Sequence, residues 1–333
     1  MHIPLFGILL SAHAIAVDGF MVVSGFIMAH NFIIRRDLEP WGASSTIWKF
    51  YARRMFRLYP LYVIAILASA AIRFPEGADL EDIVAHLTFA HGLFPKYCAS
   101  ILSTAWSLSL EMQFYLVFSF LFVLLFECPR VYALTAFSLA ATSFALCSIY
   151  LLGHYAEPGR LAHFSQPSLL LFKMPLFLLG MTAAAFGHRL IQAMPFNIAL
   201  LIVMLSNGKL TDCVALLIVS LLLIHRSPQF AKPLITVLEP ALRALSGKIS
   251  IFGADISYAM YLTHPIILSI LSIVSEPLLL AHPLEGFAIF MVSTICISAI
   301  LHFVVERPCI ELGKWLLSQP TPPTNSSSTA ELG

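Results

Sequence analysis

Glu111 stands near the start of an apolar segment that runs from Trp106 to Phe126 and begins with WSLSLEMQFY. A segment of this length can cross a lipid bilayer. Because a carboxylate at bilayer depth costs on the order of 2–3 kcal/mol, it usually faces a polar cavity, and such a cavity is usually where a membrane protein works. Glu111 is therefore a candidate functional residue. The alternative is a carboxylate in the headgroup layer that simply reaches water.

Asp18 is a second carboxylate inside an apolar segment, and it is followed by FMVVSGF at residues 20–26. A buried carboxylate needs a partner, which makes Asp18 a further candidate. Ser24 and Gly25 are small residues that allow another helix backbone to approach closely. This pair fits plain helix packing as well as a functional site.

Arg53, Arg54 and Arg57 form a basic cluster just before the apolar segment that begins at Leu58. Their spacing of three or four residues places them on one helix face. Planar guanidinium groups on one face suit the phosphate groups of a nucleotide or of coenzyme A. Basic residues beside a membrane span also fix its orientation, so the cluster alone leaves both roles open.

Tyr258, Tyr261 and His264 recur every three residues in the segment ISYAMYLTHP, residues 256–265. A polar stripe on one helix face predicts that the face lines a cavity or packs against another polar helix. Glu306 and Arg307 close the last apolar segment, where such a pair also serves as an interfacial anchor.

The composition is that of a polytopic membrane protein. Hydrophobic residues make up 59% of the chain and charged residues 11%, against roughly 25% charged in soluble domains, and the mean hydropathy is +0.87. The formal net charge is +1 and the basic residues are dispersed, which predicts no nucleic-acid partner. The six cysteines show no CxxC pair and no metal-ligand spacing, so no metal site is predicted.

The apolar runs predict one all-α domain, a polytopic transmembrane bundle of about nine helices within residues 1–315. A polar tail rich in Pro, Thr and Ser follows at residues 316–333 and is expected to be disordered. The predicted spans lie near residues 14–34, 58–73, 104–126, 131–153, 169–187, 195–206, 211–225, 256–275 and 286–305.

The basic residues predict how this bundle is oriented. If the loop after the first span is cytoplasmic, Arg53 and most other Lys and Arg residues lie inside, as does the C-terminus. Arg73, Lys96, Arg160 and Lys209 then lie outside. Nine spans that end inside place the N-terminus outside, and one further helix upstream would bring both ends inside.

In order and spacing, these segments resemble the integral-membrane acyltransferase 3 family, polytopic O-acyltransferases that modify extracellular glycans and related metabolites. The family's segments are similar to V-D-x-F-F-V-x-S-G-F, R-R-x-x-R-x-x-P, W-S-L-x-x-E-x-Q-F-Y, S-Y-x-x-Y-L-x-H and E-R-P. They correspond here to residues 17–26, 53–60, 106–115, 257–264 and 306–308. A sixth segment, PLFLLGM at residues 175–181, resembles the family's F-L-L-G-M helix, with Lys173 where arginine is common and Leu176 where glutamate is common.

The resemblance implies transfer of a short acyl group, most often acetyl, to a hydroxyl group. The donor would be acyl-coenzyme A on the cytoplasmic side, with no bound cofactor. The acceptor would be a cell-surface or exported glycan or a lipid-linked sugar, and the location a bacterial inner membrane. A membrane-embedded histidine would act as general base, since imidazole titrates near neutral pH, and arginines or backbone amides would stabilise the oxyanion.

The resemblance also implies roles for individual residues. His2 and Glu111 are the candidate catalytic residues, and Arg53, Arg54 and Arg57 would bind the phosphates of acyl-coenzyme A. The substrate tunnel would be lined by Asp18, Ser24, Trp106, Ser107, Tyr258, Tyr261 and His264.

The chain departs from the family pattern at its N-terminus. Family members usually begin with an additional helix that carries an arginine near its start and a histidine further along. His2 lies sixteen residues before Asp18, a separation compatible with that histidine, whereas His13 lies five residues before it and is interpreted as a loop or helix-edge residue. A start placed too late, a truncated inactive relative, or a different histidine as base would each explain the departure. We favour the first, because it also restores ten spans.

A transporter or channel is a second class of function that these residues allow. Asp18, Glu111 and Lys173 would then belong to an ion or substrate pathway. No inverted repeat and no matched pair of Gly/Pro-broken helices accompanies them, which argues against this class. A non-catalytic relative that acts as an assembly partner is the third alternative.

Overall fold

The computed structural model describes residues 4–35, 37–39, 44–74, 77–126, 168–189, 193–207, 210–225, 243 and 246–318. Across these residues the chain forms helices and turns, and no strand occurs among them. The predicted all-α class is therefore confirmed. The predicted span at residues 131–153 and most of the predicted tail lie outside the described residues.

The helices follow one another in simple order along the chain. They are α1 Pro4–Arg35, α2 Ser44–Arg73, α3 Leu80–Leu87, a 3₁₀ turn Ala90–Leu93, α4 Ala105–Phe126, α5 Leu170–Gly187, α6 Ala193–Asn207, α7 Leu210–His225, α8 Lys248–Ala281, α9 Pro283–Leu301, a π-helical turn His302–Glu306 and α10 Arg307–Ser318.

Five helices in the described part of the chain are long and apolar enough to cross a membrane. Their candidate spans are Ile15–Arg35, Thr46–Arg73, Leu170–Gly187, Lys248–Val274 and Pro283–Ser318. The α5 span is 89% buried, whereas the span that contains α9 and α10 is 11% buried. The helix α5 is therefore central in the bundle, and α9 lies at its periphery.

Three helices begin well before their apolar runs predict, and the third is α8, which starts at Lys248 rather than near residue 256. The helix α2 starts at Ser44 and includes the arginine cluster, because arginine and lysine are good helix formers and do not end a helix. The helix α1 starts at Pro4, so His13 lies within a helix and the loop alternative of its interpretation is excluded. At the other end of the chain, α9 continues through the π-helical turn into α10 instead of ending near residue 305.

The helices α1 and α5 cross with their backbones in contact. A Cβ atom added at Gly25 would overlap the carbonyl oxygen of Phe177, and one added at Gly180 would overlap the carbonyl oxygen of Val22. Each glycine thus makes room for the backbone of the other helix. The prediction that the Ser24-Gly25 pair permits a close backbone approach describes this crossing, and Gly180 is its counterpart on α5.

A short cap between α2 and α4 was not predicted from the sequence. Asp79 begins α3 by accepting a hydrogen bond from the Glu81 amide at 3.1 Å. Ser109 of α4 donates a hydrogen bond to the carbonyl oxygen of Phe89 at 2.7 Å. Gly92 lies so close to Ser109 that a side chain there would overlap its hydroxyl group. These contacts fix the cap, residues 79–93, against the start of α4.

Two histidines stack inside this cap. The His86 and His91 rings lie 4.2 Å apart at an interplanar angle of 7°, and both side chains are fully buried. Nδ1 of His86 lies 3.0 Å from the Asp82 carboxylate, which also accepts a hydrogen bond from Ser100 at 2.7 Å. Burial lowers the pKa of His86, and burial together with the neighbouring His86 lowers the pKa of His91 to about 3. Both rings are therefore neutral at neutral pH.

We expect Gly180→Ala to destabilise the protein by about 3 kcal/mol, the upper end of the overpacking range, because rigid backbone surrounds the new methyl group. Gly19→Ala on α1 is the matched control, since no atom lies within 4 Å of its added Cβ. Thermal unfolding in lipid nanodiscs measures both. Equal melting temperatures for Gly180→Ala and the wild type would contradict the tight crossing.

We expect the cap to lose stability in acid. A histidine whose pKa is lowered by folding contributes stability that is complete above its unfolded pKa of about 6.5 and decreases as the pH falls towards about 3 for His91. Each such histidine adds a slope of about 1.4 kcal/mol per pH unit in this range. Melting temperatures between pH 4 and 8 should fall less steeply in His91→Phe than in the wild type, while the exposed control His282→Phe keeps the wild-type slope. Identical slopes in all three proteins would refute this role.

Candidate active site

The helix α4 presents two different polar faces. Ser107, Glu111 and Tyr115 follow one another at four-residue spacing and line an internal cavity of about 330 Å³. Ser109 and Gln113 lie on the opposite face, where they bind the cap and the start of α5. One face of the WSLSLEMQFY segment thus forms the cavity wall, and the other face attaches it to its neighbours.

Four helices, α1, α2, α4 and α8, enclose the cavity. Its apolar wall comes mainly from α1, through Val17, Phe20, Val23 and Ile27 among others. The structure brings most of the predicted tunnel residues together here with two of the arginines. The polar lining consists of Ser24, Arg54, Arg57, Ser107, Glu111, Tyr115, Ser257, Tyr258 and Tyr261.

The Glu111 carboxylate is buried and held by two hydroxyl groups. Ser24 of α1 donates a hydrogen bond to Oε1 at 3.1 Å, and the Tyr115 hydroxyl donates to the same oxygen. Because Ser24 and Tyr115 both donate to Oε1, they fix the orientation of the carboxylate while it lines the cavity. Glu111 therefore faces a cavity whose lining is mostly apolar and carries a small number of polar groups.

Two tyrosines attach α8 to the other walls of the cavity. The Tyr261 hydroxyl lies 2.6 Å from Oγ of Ser107 and donates to the carbonyl oxygen of Thr104 at 2.9 Å. Tyr258 donates to the carbonyl oxygen of Leu58 on α2 at 2.7 Å. The polar stripe therefore lines the cavity and joins α8 to both α4 and α2.

Three of the predicted tunnel residues do not line this cavity. Trp106 is buried in the hydrophobic core, and Nδ1 of His264 lies 3.1 Å from the carbonyl oxygen of Met260 in its own helix. Asp18 forms a buried ion pair with Lys173 of α5 at 2.7 Å. The Asp18 carboxylate is thus compensated by an opposite charge at the α1–α5 interface, and its role in a substrate tunnel stays a prediction.

Gln113 completes a closed set of contacts around Glu111. Its side-chain amide donates to the Ser168 carbonyl at 2.9 Å and accepts from the Leu170 amide at 2.9 Å, which fixes the start of α5. The helix α5 holds α1 through the Asp18–Lys173 pair, and α1 carries Ser24 to Glu111. No periodicity in the sequence predicts these contacts of Gln113 with Ser168 and Leu170. Its position within the WSLSLEMQFY segment is the feature that could have drawn attention to it.

A second cavity, which we call the basic cleft, has a volume of about 270 Å³ and adjoins the first. Met28, Arg54 and Arg57 line both. The charged groups around the basic cleft are five cations and one carboxylate, namely Arg35, Arg53, Arg54, Arg57, Lys314 and Glu39.

The three predicted phosphate-binding arginines differ in their surroundings. Arg53 forms a two-point ion pair with Glu39, with N–O distances of 2.9 and 2.8 Å. The Arg54 guanidinium lies 5.8 Å from the Phe50 ring centroid and 5.4 Å from that of Tyr115, within cation–π range. Arg57 is exposed and forms no ion pair with any described residue.

His2, the candidate base, lies outside the described residues, so its role stays a prediction. Among the described residues, no group of three or more His, Cys, Asp or Glu side chains could hold a metal ion.

The described helices include five that are long and apolar enough to cross a membrane, and the candidate site lies where a largely apolar cavity shares Met28, Arg54 and Arg57 with the basic cleft. Residues 2–303 match the model of the acyltransferase 3 family, described as an acyltransferase domain. The chain therefore belongs to this family of membrane acyltransferases, and the resemblance drawn from the sequence motifs is confirmed.

Known relatives are distant. The chain is 30% identical over 125 residues to acyltransferase MdmB of Streptomyces mycarofaciens. This matched region covers 35% of this chain and 30% of MdmB. It is 29% identical over 150 residues to BcsY of Komagataeibacter xylinus, a proposed membrane-bound transacylase, covering 40% and 36% respectively. It is 29% identical over 139 residues to the regulator of hypoxia-inducible factor 1 of Caenorhabditis elegans, covering 38% and 26%. The matches span about a third of the length of these relatives, and no solved structure matches the chain.

We expect Lys173→Met to destabilise the protein by about 3–5 kcal/mol, because it removes the ammonium partner of the buried Asp18 carboxylate. Thermal unfolding measures the loss, and the double variant Asp18→Asn/Lys173→Met should be more stable than the sum of the single variants implies. Arg307→Met is the control, since its pair with Glu311 is exposed and contributes about 0–1 kcal/mol. If the stability losses of the two single variants added up to that of the double variant, this result would contradict the pairing of Asp18 with Lys173.

Proposed function

We propose that this protein transfers an acyl group, most often acetyl, from acyl-coenzyme A to a hydroxyl group of a cell-surface or exported glycan. The observation that carries the proposal is the junction of the two cavities at Arg54 and Arg57. A phosphate-binding cleft that opens into a cavity with a buried carboxylate matches a donor with phosphates at one end and a reactive thioester at the other.

The donor would bind with its phosphates in the basic cleft. Guanidinium groups form two-point hydrogen bonds with phosphate oxygens, so Arg57 and Arg54 suit this role. The narrow arm of coenzyme A would pass Arg54 and Met28 into the inner cavity and deliver the thioester near Glu111. In this proposal the basic cleft and the C-terminus face the cytoplasm of a bacterium, in agreement with the distribution of Lys and Arg.

The acceptor would enter the inner cavity, where serine and tyrosine hydroxyls offer the hydrogen bonds that sugars use. The apolar wall from α1 suits an acyl chain or the lipid of a lipid-linked sugar. The acceptor oxygen forms a C–O bond with the thioester carbonyl, and the C–S bond to coenzyme A breaks. A base removes the acceptor proton, which then passes to the departing thiolate.

We assign the base role to His2 and a binding and orienting role to Glu111. The Glu111 carboxylate, fixed by Ser24 and Tyr115, would accept a hydrogen bond from the acceptor hydroxyl or from the base.

A transport pathway through Asp18, Glu111 and Lys173 has less support. Asp18 and Lys173 neutralise each other in a buried pair away from the cavity that Glu111 lines. Charges that are paired at a helix crossing contribute to packing and leave Glu111 as the carboxylate available in the cavity.

The test is transfer of labelled acetyl from acetyl-coenzyme A to the glycans of membranes that contain the protein. We expect Glu111→Gln to lower the transfer rate by about 100-fold or more, because the amide no longer provides the anionic hydrogen-bond acceptor that orients the acceptor hydroxyl or the base. His2→Ala should lower it similarly. Glu311→Gln, an exposed carboxylate on α10, is the control and should transfer at the wild-type rate.

Two outcomes would contradict the proposal. Full transfer by Glu111→Gln would remove Glu111 from the chemistry. Membranes with the wild-type protein that transfer no label, although they bind acetyl-coenzyme A, would favour an inactive relative.

A further inference from the structure

The C-terminal helix α10 forms one wall of the basic cleft. Gly313 is buried against Phe56 of α2, and a Cβ atom added to it would lie 2.7 Å from Cγ of the phenylalanine ring. This close contact fixes α10 beside the helix that carries the arginine cluster. Lys314, the next residue, lines the basic cleft together with Ile310. The basic cleft is therefore built partly from α10, which begins in the E-R-P segment and carries Lys314 beyond it.

The cations of the basic cleft are not equally available to a ligand. Glu39 already neutralises Arg53 through a two-point ion pair. Arg35, Arg57 and Lys314 form no ion pair with any residue that the structure describes, and Arg54 contacts aromatic rings rather than a carboxylate. Among the residues that the structure describes, four cations around this one cleft have no carboxylate partner.

This charge exceeds what one phosphate group needs. A phosphate monoester carries a charge of about −1.5 to −2 at neutral pH. Four uncompensated cations therefore match a ligand with phosphate at two positions, such as a diphosphate and a separate monoester. Coenzyme A has this arrangement, with a diphosphate next to the pantetheine arm and a 3′-phosphate on the ribose beyond it.

The positions of the cations relative to the inner cavity decide which phosphate each would bind. Arg54 and Arg57 line both cavities, whereas Arg35 and Lys314 line only the basic cleft. Since the diphosphate is nearer to the thioester along the coenzyme A molecule, it belongs beside Arg54 and Arg57. The 3′-phosphate then lies beside Arg35 and Lys314.

We propose that Lys314, together with Arg35, binds the 3′-phosphate of the donor and so determines the preference for coenzyme A over its 3′-dephospho form. This inference rests on the proposed function, because it takes acyl-coenzyme A as the donor. Lysine acts here as a mobile point charge, which suits a rotating monoester better than a fixed diphosphate.

The experiment measures dissociation constants of the full-length protein in nanodiscs for acetyl-coenzyme A and for 3′-dephospho-acetyl-coenzyme A. The wild type should bind acetyl-coenzyme A about 10-fold more tightly, as expected for one charge-assisted contact. Lys314→Met should lose this preference by weakening acetyl-coenzyme A alone, and Lys314→Arg should restore it. Lys248→Met is the control, since it removes an exposed lysine outside the cleft and should keep the wild-type preference.

The outcomes separate this inference from the proposed function. A wild type that binds both donors equally, or a Lys314→Met variant that keeps the preference, would overturn the role of Lys314 and leave the donor assignment intact. If Lys248→Met lost the preference for acetyl-coenzyme A to the same extent, the cause would be a general surface-charge effect. This result would also overturn the role of Lys314. A wild type that binds neither donor would overturn both the inference and acyl-coenzyme A as the donor.

Discussion

The direct backbone contact between α1 and α5 is the constraint on which the site depends. Gly25 and Gly180 make this contact possible, and the Asp18–Lys173 pair fastens the same two helices. Both features act on α1, which carries Ser24 to the Glu111 carboxylate. Because the helices cannot move apart without exposing a buried charge or move together without overlap, the position of Ser24 relative to Glu111 is set by rigid packing.

The helix α4 keeps its polar face, which carries Glu111, directed towards the cavity. One of its faces binds the cap and the start of α5, so the other face has little freedom to turn away from the cavity. The arginines of α2 line the same cavity, and the Arg54 guanidinium lies 5.4 Å from the ring centroid of Tyr115, whose hydroxyl group donates to Glu111. Positive charge and the buried carboxylate thus lie close together in this cavity.

Local pattern predicted the parts of this structure that depend on helix periodicity. The bounds of α4 to α7 follow from apolar runs, and the shared face of Tyr258 and Tyr261 follows from their spacing. The grouping of Ser107 and Glu111 with these tyrosines came from the family resemblance. The partner of Asp18 could not be read in this way, because Lys173 is 155 residues away and the pairing exists only after the helices pack. The helices α3, in the cap, and α10 were not predicted because both are short and contain charged residues. No long apolar run therefore marks them in the sequence.

A cryo-electron microscopy structure with a non-hydrolysable thioether analogue of acetyl-coenzyme A tests the central claim most directly. We expect phosphate density in the basic cleft beside Arg57, and an acyl group in the inner cavity within hydrogen-bonding reach of the groups around Glu111. Density for the analogue outside these two cavities would contradict the account. So would phosphates in the basic cleft with the pantetheine arm directed away from Arg54.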